Sequence, residues 1–293
     1  MRSPLASLPQ PLALVAHDAG AAHHLFAWLG MEQAPPVRLC LAGPALARRP
    51  AAAPVLTLAA ALDGAAAVIT GTGWASDLEH EARVRARALG LPTVAVIDHW
   101  TNYQARFERH GVTALPDQIW VTDPYALAQA RAAFPGVTVR QQPNAYLEHE
   151  ADAVRRLPPP PPGPLRVLYV LEPIRDAWGA HAEPGEFAAL DFFMARRAAL
   201  GVTDDCEIVL RPHPSDPPGK YDAWLARQGW PGLRVAADAP LAEALAWADV
   251  VVGCQTYAMV VALAAGRRVV SSVPPWAPPC VLPHAGILRL SQL

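Results

Sequence analysis

Along the chain, short runs of continuously apolar residues alternate with longer Ala-rich stretches. In the first half the runs lie at residues 12–16 (LALVA), 37–42 (VRLCLA), 67–70 (AVIT), 93–97 (TVAVI), 118–122 (QIWVT) and 137–140 (VTVR). In the second half they lie at 166–171 (RVLYVL), 207–210 (EIVL), 233–236 (LRVA), 250–253 (VVVG) and 269–271 (VVS). Most lack the apolar-polar alternation of a half-exposed strand, so they predict parallel strands buried on both faces. Helices are predicted over 76–89, 184–200, 220–228, 241–248 and 257–265. The clearest is 76–89, where Ser76 and Glu79 have the spacing of a capping box and Gly90-Leu91-Pro92 supplies the stop. Strand and helix alternate in both halves, which predicts two doubly wound α/β domains.

The chain's 293 residues are about twice a usual 150-residue domain. A content of 52% hydrophobic and 17% charged residues excludes a disordered chain or a coiled coil. Proline, at 32 residues, is about twice its average frequency. The densest proline run, Pro158 to Pro162 with Pro164, can be neither helix interior nor central strand. It divides the chain into an N-terminal domain at 1–156, a linker at 157–164 and a C-terminal domain at 165–293.

A net charge of −2 with scattered basic residues gives no electrostatic footprint for nucleic acid. Lys220 is the sole lysine. Cys40, Cys206, Cys254 and Cys280 form no C-x-x-C pair, so neither a metal cluster nor a disulfide framework is expected. No leader-like segment or membrane-spanning run is seen, and the expected location is the cytoplasm.

Open parallel sheets bind ligands at the carboxyl ends of their strands, where loops diverge and helix N-termini present unpaired N–H groups. Polar residues gather there in both halves. The strand at 12–16 is followed by His17-Asp18-Ala19-Gly20, that at 67–70 by Gly71-Thr72-Gly73-Trp74, that at 93–97 by Asp98-His99-Trp100, and that at 118–122 by Asp123. In the second half the same positions hold Glu172, Arg211-Pro212-His213-Pro214-Ser215 and Cys254-Gln255-Thr256-Tyr257. Two such rims on linked domains describe a cleft. Asp18, Asp98, His99 and Glu172 are acid or base candidates, while Asp123 has the position of a plain helix cap. Neither G-x-G-x-x-G after the first strand nor a P-loop is present, which disfavours a dinucleotide dehydrogenase or a P-loop NTPase. Trp74, Trp100, Tyr103 and Phe107 follow strand ends, where their rings could stack on a sugar or simply fill the core.

The sharpest signals are C-terminal. Arg211-Pro212-His213-Pro214 fixes a guanidinium and an imidazole on a loop stiffened by two prolines. The segment 253–266 (GCQTYAMVVALAAG) reads as strand end, small polar loop and apolar helix, with N–H groups at Gln255, Thr256 and Tyr257 able to receive a phosphate.

With these two segments, the first followed by Lys220-Tyr221-Asp222, the chain resembles the GT-B glycosyltransferase superfamily, which includes bacterial sialyltransferases, Kdo transferases and capsule polysaccharide transferases, and more distantly CDP-glycerol transferases and the sugar-nucleotide 2-epimerases. The resemblance covers about 60 residues and implies two Rossmann-like domains facing across a cleft. It also implies a metal-independent transfer of a sugar from a nucleotide donor to a glycan or other hydroxyl acceptor, with no further cofactor. His213 would bind the donor phosphate and assist leaving-group departure; Arg211, Ser215, Gln255, Thr256, Tyr257 and Glu172 would complete the donor site. Asp18 or Asp98 would be the base. A CMP-activated acidic sugar is the first expectation for the donor and a UDP-sugar the second. Peripheral association with the inner membrane face is compatible with such a role. Where relatives carry a ribose-binding Glu, this chain has Val261. Alternatives are a sugar-nucleotide 2-epimerase or hydrolase, and a non-catalytic sugar-nucleotide or glycan-binding protein.

Overall fold

A computed structural model describes residues 1–50, 53–159, 162–180 and 182–293, so Pro160 and Pro161 of the proline run lie outside the described residues. The chain forms two compact units, Met1–Tyr146 and Leu147–Leu293.

In the first unit, β1 (Leu12–Ala16), α1 (Ala19–Leu29), β2 (Val37–Leu41), α2 (Gly43–Ala47) and α3 (Leu58–Leu62) precede β3 (Ala67–Thr70), α4 (Leu78–Ala88) and β4 (Thr93–Val96). A two-residue-armed hairpin, β5 (Glu108–Arg109) with β6 (Val112–Thr113), leads to β7 (Gln118–Val121), α5 (Pro124–Ala133) and β8 (Thr138–Gln141). The six long strands form one parallel sheet in the order β2-β1-β3-β4-β7-β8. β1, β3 and β4 are buried throughout, as their unbroken apolar runs require. Trp28 of α1 and Trp120 of β7 meet edge to face at 5.7 Å within the core beneath.

Helix α6 (Ala145–Arg156) crosses the division between the units, with most of its length in the second. That unit continues with β9 (Arg166–Val170), α7 (Gly185–Arg196), β10 (Glu207–Arg211), α8 (Asp222–Gln228), β11 (Leu233–Val235) and α9 (Leu241–Trp247). It closes with β12 (Val250–Gly253), α10 (Tyr257–Ala264), β13 (Arg268–Ser271) and β14 (Ile287–Arg289). Its sheet, also parallel, has the order β11-β10-β9-β12-β13-β14, the 3-2-1-4-5-6 arrangement of a Rossmann domain. Both units are therefore doubly wound α/β domains.

The amino ends of both sheets carry structural polar pairs. Asp117 accepts the Thr93 N–H and hydroxyl at 2.7 and 2.9 Å, and Asp249 accepts the Arg166 N–H at 2.9 Å. Each ties the start of one strand to the start of its neighbour in the sheet. Among the described residues no helix is long and apolar enough to cross a membrane.

Candidate functional site

In a doubly wound sheet the strand order reverses at one point, and the connections leaving it diverge to open a crevice at the carboxyl edge. The observed orders put this point between β1 and β3 in the first unit and between β9 and β12 in the second. Each crevice is occupied by a carboxylate of the chain itself.

In the first unit that carboxylate is Glu79, in the first turn of α4. The expected capping box with Ser76 is not formed: the Ser76 hydroxyl accepts the Leu78 N–H at 3.2 Å, and Asp77 takes the cap position. Glu79 instead accepts the N–H of His17 at 2.9 Å and of Gly73 at 2.5 Å, joining the loops after β1 and β3. It is 1% exposed. Burial pushes its carboxyl above the usual range against the pull of the two amide bonds. Beside it Arg83, 2% exposed, donates to the Thr70 hydroxyl and the Gly71 carbonyl at 3.0 Å each. Burial lowers the Arg83 pKa to about 10, where the guanidinium is still charged at neutral pH.

Asp18 and Asp98, the two base candidates, stand at the same edge in different surroundings. Asp18 Oδ1 is 2.6 Å from His17 Nδ1, and a Cβ on Gly73 would lie 1.9 Å from Asp18 Oδ2. Asp98 accepts Arg106 Nη1 at 2.8 Å, and a Cβ on Gly20 would lie 1.6 Å from its Oδ2. Glycine is required at both positions by this close approach. Arg106 is itself buried, donating also to the Thr101 carbonyl at 2.9 Å and the Thr72 hydroxyl at 3.2 Å. Burial alone would raise the Asp98 pKa, but Arg106, with His99 and His24, outweighs it and holds the carboxyl below its usual range. Asp98 is thus a fixed anion, whereas the polar partner of Asp18 in its loop is a neighbouring imidazole.

His99 lies beside this pair, its Nδ1 3.4 Å from the Thr101 hydroxyl. Asp123 caps α5, accepting the Ala126 N–H at 2.8 Å, and also accepts Trp100 Nε1 at 3.1 Å. Of the four rings considered for sugar stacking, Trp100, Tyr103 and Phe107 are core residues, each at most 7% exposed. Trp74 alone is open, at 47%, with the Arg106 guanidinium 5.2 Å from its ring centre.

In the second unit the Arg211-Pro212-His213-Pro214 loop leaves the end of β10. The Ser215 N–H donates to His213 Nδ1 at 3.2 Å, and the Ser215 hydroxyl lies 2.8 Å from the same nitrogen. A backbone N–H can only donate, so Nδ1 is an acceptor and the neutral ring carries its proton on Nε2. The His213 N–H donates to Asp216 at 3.0 Å. Arg211, half-buried, donates Nη1 to the Ala239 carbonyl at 2.6 Å.

The second crevice holds Glu172, which accepts the Gln255 N–H at 3.0 Å. The Gln255 N–H, expected to face a phosphate, is thus bonded to a carboxylate of the chain in this structure. Burial raises the Glu172 pKa to about 7, with the Gln255 amide opposing. The Gln255 side chain accepts the Val281 N–H at 3.2 Å, while Thr256 caps α10 without a side-chain bond and Tyr257 begins the helix. Thr256 and Tyr257 are half-buried. Val261 faces the core and is 1% exposed, so the position that holds a ribose-binding Glu in the resembled family is structural in this chain. Among the described residues no group of three or more His, Cys, Asp or Glu side chains gathers as a metal site.

His17 and Glu79 escaped the sequence reading as site residues, though Glu79 left a signal. It falls on the stripe of Ala82, Arg83 and Ala86, the buried face of α4, where a carboxylate must be paired or bonded.

No family model and no curated protein matches this chain. Solved structures do. MnaA of S. aureus, determined with UDP, matches with TM-score 0.57 and 10% identity, covering 89% of this chain and 78% of that one. The UDP-GlcNAc 2-epimerase of Neisseria meningitidis, bound to UDP-GlcNAc, matches at 0.60 with 9% identity over 89% and 82%. MurG of Acinetobacter baumannii matches at 0.51 with 14% identity over 94% and 79%. At such identities the likeness concerns the fold alone, two Rossmann-like α/β domains. None of the three is a sialyl or Kdo transferase.

Proposed function

We propose that this chain is a sugar-nucleotide enzyme whose second unit binds a nucleoside diphosphate sugar and whose first unit activates an acceptor hydroxyl for glycosyl transfer. The observation that carries this reading is His213. Its tautomer is set by the Ser215 amide so that Nε2–H is the donor, a fixed hydrogen-bond source suited to a phosphate oxygen whose charge grows as the glycosidic bond breaks. Thr256 and Tyr257, at the start of α10, add backbone N–H groups and the positive end of the helix. Arg211 supplies positive charge from the end of β10. The UDP and UDP-GlcNAc carried by the structural neighbours support a uridine diphosphate donor over the CMP-sugar expected first.

Asp18 is the better base. Asp98 is stabilised as an anion by Arg106, which lowers its proton affinity, so its role is to orient Arg106 and the Thr72 loop. Asp18, partnered by His17, would accept the proton of the acceptor hydroxyl while the exposed Trp74 ring offers a stacking face for a sugar.

A second reading is acceptor-free epimerisation or hydrolysis of the donor. It is favoured by Glu172, held near neutrality beside the helix start proposed for the donor phosphate and therefore able both to give and to take a proton. Calorimetry with UDP, CDP and CMP is expected to show tightest binding of UDP, weakened about 30-fold in His213→Ala. Binding of none of them overturns the sugar-nucleotide assignment. Turnover of a UDP-sugar without acceptor would replace transfer with the second reading.

A further inference from the structure

Lys220, the sole lysine of the chain, has no part in the chemistry above, yet it is placed where a surface lysine would not be. Its side chain is only 16% exposed and its ammonium lies between two carboxylates that are almost wholly buried, Glu186 of α7 at 3% and Asp216 at 1%. The distances are 2.7 and 2.8 Å to the Glu186 oxygens and 2.7 Å to Asp216 Oδ1. The other Asp216 oxygen accepts the His213 N–H at 3.0 Å and the Tyr221 hydroxyl at 2.9 Å. A bonded path therefore runs from α7 through Glu186, Lys220 and Asp216 to the backbone of His213. The Ser215 amide that sets the His213 tautomer lies in the same tight loop, next to Asp216.

We infer that Lys220 is a positioning residue for His213: by neutralising buried Asp216 it lets that carboxylate hold the 213–216 loop in the form that aims the His213 Nε2–H at a donor phosphate. The inference rests on the proposed donor role of His213. It explains why two carboxylates are buried behind an otherwise exposed loop, since without a cation between them both would be unpaired anions. Burial disfavours the Lys220 ammonium, yet the bonds to Asp216 and Glu186 outweigh it and hold its pKa above the ordinary lysine value. The Asp216 carboxyl is pushed up by burial but brought below its usual range by Lys220, Tyr221 and the His213 amide. Lys220 and Asp216 are thus both charged at neutral pH, while burial pushes the Glu186 carboxyl above its usual range against the pull of Lys220. Tyr221 and Trp224 are buried in the core of the unit, and Trp224 Nε1 donates to Asp191 of α7 at 2.7 Å, so the segment that carries Lys220 is anchored independently of the triad.

A double-mutant cycle on UDP binding separates positioning from general support. Lys220→Met is expected to weaken UDP binding about tenfold in the wild-type background and by less than about twofold in the His213→Ala background, because its effect passes through the imidazole. Lys220→Arg, which keeps the charge, should restore most of the affinity. Nitrogen-15 spectra of the His213 ring should show Nδ1 unprotonated in the neutral wild-type side chain and a mixture of tautomers in Lys220→Met, a change that a purely structural lysine would not produce. If Lys220→Met does not fold, Glu186→Gln runs the same cycle, with about a threefold loss expected in the wild-type background and none in His213→Ala. Equal losses in both backgrounds overturn the inference. Unchanged UDP affinity in His213→Ala alone instead overturns the donor role on which it rests, so the two failures are distinct.

Discussion

The two sheets solve the same problem at their switch points and reach opposite outcomes. In the first, Glu79 is sealed from solvent and takes two backbone amides. In the second, Glu172 is only partly covered and takes one. A carboxylate is chemically close to a phosphate oxygen pair, so each crevice is an anion site already filled from within. Displacing Glu79 would cost two hydrogen bonds and leave the His17 and Gly73 amides without their acceptor. Displacing Glu172 costs one, and a carboxyl group near neutrality gives up that bond easily once it is protonated. The comparison teaches that two domains of one architecture can differ in how firmly an internal anion holds the crevice: a sealed carboxylate with two amide bonds in the first, a partly covered one with a single amide bond in the second, which is the crevice proposed to admit a donor.

The largest effect that sharpens this contrast is on stability. Glu79→Ala should destabilise the first unit by about 3 kcal/mol by leaving the His17 and Gly73 N–H groups without their acceptor and the buried Arg83 guanidinium without its nearby counter-charge, whereas Glu172→Ala should barely move the same transition. Thermal unfolding of the two variants reads the difference, and equal losses would break the comparison.

Next is Gly73→Ala. Its methyl would occupy the place of Asp18 Oδ2, and turnover is expected to fall about 100-fold with little change in UDP affinity, because the proposed base is displaced and the donor site is not. Steady-state kinetics on a UDP-sugar with an acceptor tests this. A fall in UDP binding of the same size would show that the units are not divided as argued.

His213→Ala should cost about 30-fold in UDP affinity by removing a hydrogen bond to a charged group while leaving the melting temperature of the first unit unchanged. Calorimetry and thermal unfolding measure the two arms.

The smallest effect is a pH dependence. The Glu172 pKa lies above its unfolded value, so the folded state binds the extra proton. Its contribution to the stability of the second unit is therefore full below about pH 4.5 and is lost as pH rises through about 7. UDP affinity should fall a few-fold over the upper part of that window as the carboxylate forms and competes for the Gln255 amide. Glu172→Gln should flatten the profile; an unchanged profile removes Glu172 from the contest.

How far these features were readable in advance depends on the range of the interactions that fix them. The runs at 12–16, 67–70 and 250–253 became β1, β3 and β12 without a change of boundary, because a strand buried on both faces writes its position as a local apolar run. β14 was not foreseen: Ile287–Arg289 is an edge strand of three residues after a proline-rich loop, held by pairing with β13 and not by local preference. The β5–β6 hairpin is polar and short for the same reason. Asp18, Asp98, Glu172 and His213 were expected just beyond strand ends and lie there, after β1, β4, β9 and β10, because a buried apolar run fixes where its strand stops. Glu79 was misread since a Ser-x-x-Glu spacing predicts a local cap, while its real partners are the amides of His17 and Gly73 in loops that only the sheet brings near. Three of the four rings offered for stacking were claimed by the core, as residues following a buried strand often are. The division between units falls at Tyr146, ahead of the proline run, since α6 keeps most of its length with the second unit.

The single lysine has one more consequence, and it is a practical one. A protease that cuts only after lysine has one bond to attack in this chain, Lys220-Tyr221, and the side chain it must grasp is clamped between Glu186 and Asp216. Cleavage therefore waits for the loop around His213 to open, and under conditions where opening and closing are fast its rate counts the opened population. The molecule carries its own built-in gauge of how firmly that loop is shut, readable on a gel as two fragments.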